Sequence, residues 1–154
     1  MIKKILKIIF IILVVGLIAS QFFRPERFTT GDVTKDEITT VLKVPDDVQK
    51  ILKRSCYDCH SNHTVWPWYT NISPVNWLVF DDVNSGRHKM NFSEWGKLPV
   101  SKQSTKLSNI CDKIKDGDMP LPKYLLIHRD AVLTQQEKDI LCKWADAQAD
   151  SLGN

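Results

Sequence analysis

No acidic residue precedes Glu26, and beyond the initiator the chain has only two methionines, Met90 and Met119. No internal repeat or low-complexity tract occurs, and no alternating apolar–polar run suggests a pair of strands. A Cys-x-x-Cys pair stands at Cys56 and Cys59, without a second such pair or a His pair to complete a closed tetrahedral zinc set. Basic charge does not accumulate in the body of the chain. Three of its 21 Lys and Arg are Lys3, Lys4 and Lys7, which leaves 18 basic against 18 acidic residues from Arg24 onward. A neutral body lacks the basic footprint that nucleic-acid binding requires, so no nucleic-acid partner is expected.

The N-terminal lysines have another use. They precede an almost unbroken apolar run, Ile8 to Ala19, extended by Phe22 and Phe23. With Lys7 snorkelling, residues 5–23 come within the roughly 17–25 residues that cross a bilayer core. The expectation is a retained transmembrane anchor over residues 1–23 in the cytoplasmic membrane. The lysines would stay inside and everything after Arg24 would face the outer, periplasmic side. A cleaved signal peptide is the competing reading, disfavoured because Leu17 or Ile18 would occupy the −3 position; a buried core helix is a third. Residues 24–43, poor in large apolar side chains, are expected to act as a tether. Residues 44–154 suffice for one modest domain.

That domain reads as all-α. Pro45, Asp46 and Asp47 make a good helix opening, followed at helical spacing by Val48, Ile51, Leu52, Ser55, Cys56 and Cys59. A second helix is expected from Pro74 through Val83, stopped near Gly86. A third should run from about Lys102 to Lys115, with Leu107, Ile110, Cys111 and Ile114 on one stripe and Gly117 as its stop. Thr134 and Glu137 form a capping box for the last helix, whose inner face is traced by Ile140, Leu141, Trp144 and Gln148.

The chemistry lies in Cys56-Tyr57-Asp58-Cys59-His60, which has the spacing of c-type haem attachment. Positions i, i+3 and i+4 share one face of a helix. Both thiols can then reach the vinyl groups of one porphyrin edge while the imidazole meets the iron. One covalent haem c is expected, with His60 as the proximal ligand. A redox dithiol is the main rival, but thioredoxin-like pairs open a helix after a strand, whereas this one closes a helix. A structural disulfide is a lesser alternative. For the sixth ligand, Met119 sits in an irregular loop, Asp116-Gly117-Asp118-Met119-Pro120-Leu121-Pro122, able to aim a thioether without a helix constraining it. His128 is the runner-up, then His63, His88 and Met90. Cys111 and Cys142 are left over. Cys142 falls off the inner face of its helix, so two separate thiols are favoured over a disulfide.

The sequence resembles the bacterial haem-binding domain family of short, membrane-tethered, cytochrome-c-like proteins. The likeness is carried by Cys56-Tyr57-Asp58-Cys59-His60-Ser61, Trp66-Pro67-Trp68-Tyr69, Pro74 with Trp77, Gly86-Arg87, Asn91-Phe92-Ser93-Glu94-Trp95, and Met119-Pro120-Leu121 with Tyr124 and His128. It spans roughly Val44 to Trp144 and implies a single covalent haem on a helical domain. The aromatic residues after Cys59 are expected to wall the porphyrin, and Arg87 is a candidate partner for a propionate. The function expected is electron transfer by a mono-haem c-type cytochrome with His60 and Met119 as axial ligands, exchanging electrons with membrane or periplasmic redox proteins. The alternative is a haem enzyme or a gas or redox sensor with an open sixth site, although no distal His–Arg pair with motif-like spacing is present.

Overall fold

A computed structural model describes residues 1–153, and among them it contains helices and no strand. The order is α1 (Ile2–Ser20), α2 (Ile38–Val41), α3 (Asp46–Ser55), α4 (Tyr57–His60), α5 (Val75–Lys89), α6 (Val100–Lys115), α7 (Pro122–Leu125) and α8 (Gln135–Gly153). Short 3-10 turns occupy Trp68–Asn71, Phe92–Lys97 and Arg129–Ala131. The all-α expectation is borne out.

Packing centres on α6 and α8. Leu107, Ile110 and Ile114 of α6 are buried with Leu141, Trp144, Ala145 and Ala149 of α8. Burying a side chain such as Leu107 stabilises by roughly 1.5–3 kcal/mol. The small residues Ala145 and Ala149 continue the stripe from Leu141 at four-residue steps, letting the helix axes approach. Cys142 flanks that stripe and meets Cys111, with 4.8 Å between Cα atoms, in a disulfide. The preference for separate thiols is corrected: the α8 face that meets α6 is turned toward the alanines rather than toward Gln148. The capping box forms as expected. Glu137 accepts from the Thr134 amide at 2.9 Å, and the Glu137 amide donates to the Thr134 hydroxyl at 3.2 Å.

No helix among the described residues is long and apolar enough to cross a membrane. This overturns the expected single-pass anchor, and with it the placement of the domain on the outer side of a cytoplasmic membrane. The physical reason lies in α1 itself. Lys3, Lys4 and Lys7 fall within its first two turns, and the apolar run Ile8 to Ala19 that follows is 12 residues. At 1.5 Å per residue that is about 18 Å, well short of a hydrocarbon core of about 30 Å.

Residues 24–43, expected as a tether, run along the domain. Thr30 donates its amide to Asn62 O at 2.9 Å, and Thr29 donates its hydroxyl to Thr64 O at 3.0 Å. Arg27 donates to Thr70 O. Glu37 and Ile38 are buried, and Glu37 binds His63 at 3.1 Å. Two helix boundaries also differ from expectation. The first helix breaks at Cys56 (φ −130°), so the motif occupies its own short helix, α4. The second runs through Gly86 to Lys89. Gly86 is no stop. A Cβ there would stand 2.5 Å from Cys59 O, so the glycine exists to let α4 lie on α5.

Candidate haem site

The amides of Cys59 and His60 both donate to Cys56 O, at 3.2 and 2.9 Å, closing one tight turn. This puts Cys56, Cys59 and His60 on one side of it, as their spacing requires. Neither motif thiol is in a disulfide, and both are partly exposed. Burial, reinforced by the neighbouring Cys59, pushes the Cys56 thiol up to about 12. Burial together with the charges of Asp58 and Asp82 raises Cys59 to about 12. Redox-active dithiols need the opposite, an environment that favours the thiolate.

His60 is oriented from behind. Its Nδ1 lies 3.0 Å from Met90 O. A carbonyl can only accept, so Nδ1 carries the proton and Nε2 keeps a free lone pair. Burial lowers the imidazole's proton affinity and favours that neutral form. The ring packs on Phe92, with centroids 6.1 Å apart.

Two cavities meet at this histidine. The first, about 430 Å³, is bounded by α3, α4, α6 and the loop after α6, with Leu52, Phe92, Ile110, Ile114 and Leu133 among its walls and Cys56 opening into it. The second, about 150 Å³, holds Cys59, Asp58, Asp82, Leu121 and Tyr124. His60, Ser55, Lys89, Met119 and Pro120 line both. The two thiols thus face adjoining parts of one cleft whose seam carries His60 and Met119. The first cavity alone falls in the range of about 300–1,000 Å³ typical of small-molecule sites.

The Met119 loop is tied to the end of α6. Gly117, at φ 75°, turns the chain, the Met119 amide donates to Lys113 O at 3.1 Å, and Lys113 pairs with Asp118 at 2.7 Å. The other candidates for the iron's sixth position are placed elsewhere or occupied. His128 Nε2 is 2.6 Å from the Tyr69 hydroxyl, and its ring stacks on Tyr124 at 4.1 Å. Both ring nitrogens of His63 are bonded, to Thr30 O at 2.7 Å and to Glu37. His88 is exposed on α5. Met90 lines the first cavity only, whereas Met119 lines both, and the main-chain carbonyl of Met90 bonds the Nδ1 edge of His60.

Two further expectations change. Trp66, Trp68 and Trp77 wall neither cavity; Trp66 donates to Thr29 and Trp77 to Phe23 O, and both thereby fasten the N-terminal segment. Arg87 does not face the cleft. It donates to Ser61 O at 2.8 Å, Thr64 Oγ1 at 2.8 Å and Phe28 O at 2.9 Å, which ties the chain after the motif to the segment before α2. Sequence reading missed the cation-bearing face of α6, Lys106 and Lys113, because exposed lysines on a helix carry no motif. It also missed the bond between Tyr124 and Asp58, 2.8 Å, beside Cys59.

Among the described residues no group of three or more His, Cys, Asp or Glu side chains gathers as a metal-binding set. What the cleft offers instead is one imidazole lone pair, unpaired thiols on one turn and apolar walls. That combination suits a flat apolar prosthetic group with its own central metal, and so defines a haem-type binding protein. The model of the family described as haem-binding domain matches residues 15–147, and the chain belongs to that family. Neither the curated proteins nor the solved structures yield a match.

Proposed function

We propose that the protein is a mono-haem c-type electron carrier. Cys56 and Cys59 would hold the haem through thioether bonds, with His60 Nε2 and the Met119 thioether on the two axial sides. The haem would supply a reversible one-electron couple. The observation that carries this reading is that His60 and Met119 are both walls of both cavities, at the seam between them.

The chain's own groups then have distinct tasks. Met90 O fixes the His60 tautomer and makes the imidazole a better donor. The apolar walls from Leu52, Ile110, Ile114 and Leu133 keep water away from the cleft, which with a thioether ligand favours a raised potential. With His60 and Met119 both bound to the haem no place would remain for a substrate, so the partners would be other redox proteins. The test is a visible spectrum of the matured full chain, oxidised and dithionite-reduced, repeated under carbon monoxide, with acid–acetone extraction of the same sample. Low-spin spectra indifferent to carbon monoxide and unextractable haem are expected. A high-spin spectrum that shifts with carbon monoxide would replace the carrier by a haem enzyme or sensor, and extractable haem would overturn the thioether assignment.

A further inference from the structure

Charge is distributed unequally along the cleft. The first cavity is lined by Lys89, Lys106 and Lys113, with Asn109 between the latter two, and by no Asp or Glu. The second has no residue from α6 and carries Asp58 and Asp82 beside Cys59. An amphipathic ligand with carboxylates at one edge is therefore sorted end for end. Its acids are repelled from the Cys59 end and attracted to the α6 end.

We propose that Lys106 and Lys113, with Lys89 at the margin, form the carboxylate-binding edge of the site and receive the haem propionates. The assignment rests on the haem reading above and adds an orientation to it. In a haem the propionates lie on the edge opposite the vinyl groups that join to cysteines, and α6 lines only the first cavity, which Cys56 enters and Cys59 does not. Lys106 is partly buried, lines the first cavity and donates to Lys89 O. Lys113 is one turn beyond Ile110 in α6 and anchors the Met119 loop through Asp118. Arg87, the sequence's own candidate for this task, lines neither cavity and gives its Nε and Nη2 donors to Ser61, Thr64 and Phe28. The charged and titratable groups facing the propionates are then Lys89 from α5, Lys106 and Lys113 from α6 and His60 from α4, with Asp118 behind Lys113.

The test is a spectroelectrochemical titration of the full holoprotein between acid and alkaline pH. Wild type is compared with Lys106→Gln, Lys113→Gln, the double variant, Lys106→Arg and Asp118→Asn, with Lys97→Gln as control. Lys97 pairs with Glu94 at 2.9 Å, and neither residue lines the cleft. Cationic neighbours favour the reduced haem and the ionised propionates. Each Gln variant should therefore lower the midpoint potential and strengthen proton binding by the propionates about tenfold, one pKa unit. Covalent haem content should be unchanged, Lys106→Arg should restore wild-type behaviour, and the control should match wild type. Full haem content with an unaltered titration in the double variant would overturn the lysine assignment alone. Asp118→Asn reproducing the Lys113→Gln shift would remove Lys113 from it, by placing the effect in the loop. A wild-type chain that takes up no haem would overturn the haem reading itself, and the assignment with it.

Discussion

Gly86 and Cys59 touch through their backbones: a methyl group on Gly86 would stand 2.5 Å from the carbonyl oxygen of Cys59 and 3.1 Å from its carbonyl carbon. Backbone cannot step aside as a side-chain end can, so any Cβ at this position forces α4 off α5. Gly86→Ala should cost about 1–3 kcal/mol, the usual range for overpacking. It should also reduce haem incorporation, because the displaced element carries the motif. Denaturant unfolding and haem content per chain check both effects, and unchanged values for both would refute the close approach.

Met119 and Met90 both line the first cavity but differ in role. Met119→Ala should open the sixth position, let carbon monoxide bind and remove the weak ferric absorption near the red end that marks sulfur ligation. Met90→Ala should keep that absorption, because the His60 contact uses the main-chain carbonyl. The reverse pattern would transfer the ligand assignment to Met90.

The Cys111–Cys142 bond closes a loop with a sequence separation of 31. By loop-closure entropy its removal should destabilise the chain by about 4 kcal/mol, within the range seen when native disulfides are deleted. A Cys111→Ala/Cys142→Ala double variant, or reduction of the native chain, should lower the denaturation midpoint accordingly. Equal midpoints with and without reductant would mean that the helices hold together without the bond.

The capping box predicts a pH effect of known sign. The Thr134 amide is the main cause that lowers the Glu137 carboxyl's proton affinity below its ordinary 4.5, with Arg54 adding to it. An acid that ionises more easily when folded stabilises fully above its unfolded value and loses that contribution as pH falls through the folded one. Glu137→Gln should therefore cost stability at neutral pH, and the gap to wild type should shrink as pH drops below about 4.5, where the unfolded carboxyl takes up a proton that the folded one still resists. Thr134→Ala should cost about 1 kcal/mol. A gap that stays constant into acid would deny the carboxylate its part.

Local signals were easy to read in this sequence and contact signals were not. The capping box, the Gly117 stop and the stripe on α6 were legible because each depends on residues within four positions of one another. The Cys-x-x-Cys-His turn was legible for the same reason. The roles of Gly86 and Arg87 were not, since each is defined by partners 23 to 59 positions away. The aromatic residues after Cys59 suggested walls for a cofactor because apolar area is scored without direction. In the fold, Trp66 and Trp77 spend their indole N–H groups on residues 23–29, and of the two aromatic segments only the one at 91–95 contributes to the first cavity, through Phe92. The expected membrane span failed on a different ground: it counted residues 5–23 by letting Lys7 snorkel, whereas the uninterrupted apolar run of the helix is Ile8 to Ala19.

The bond that orients His60 comes from the main chain at Met90. A side-chain acceptor would be erased by one codon change, whereas a backbone carbonyl persists whatever residue occupies position 90. The tautomer of the proximal ligand is thus buffered against mutation at the position that sets it. Such drift as the site tolerates should concentrate in the walls, which tune the cofactor, rather than in the geometry that presents Nε2 to it.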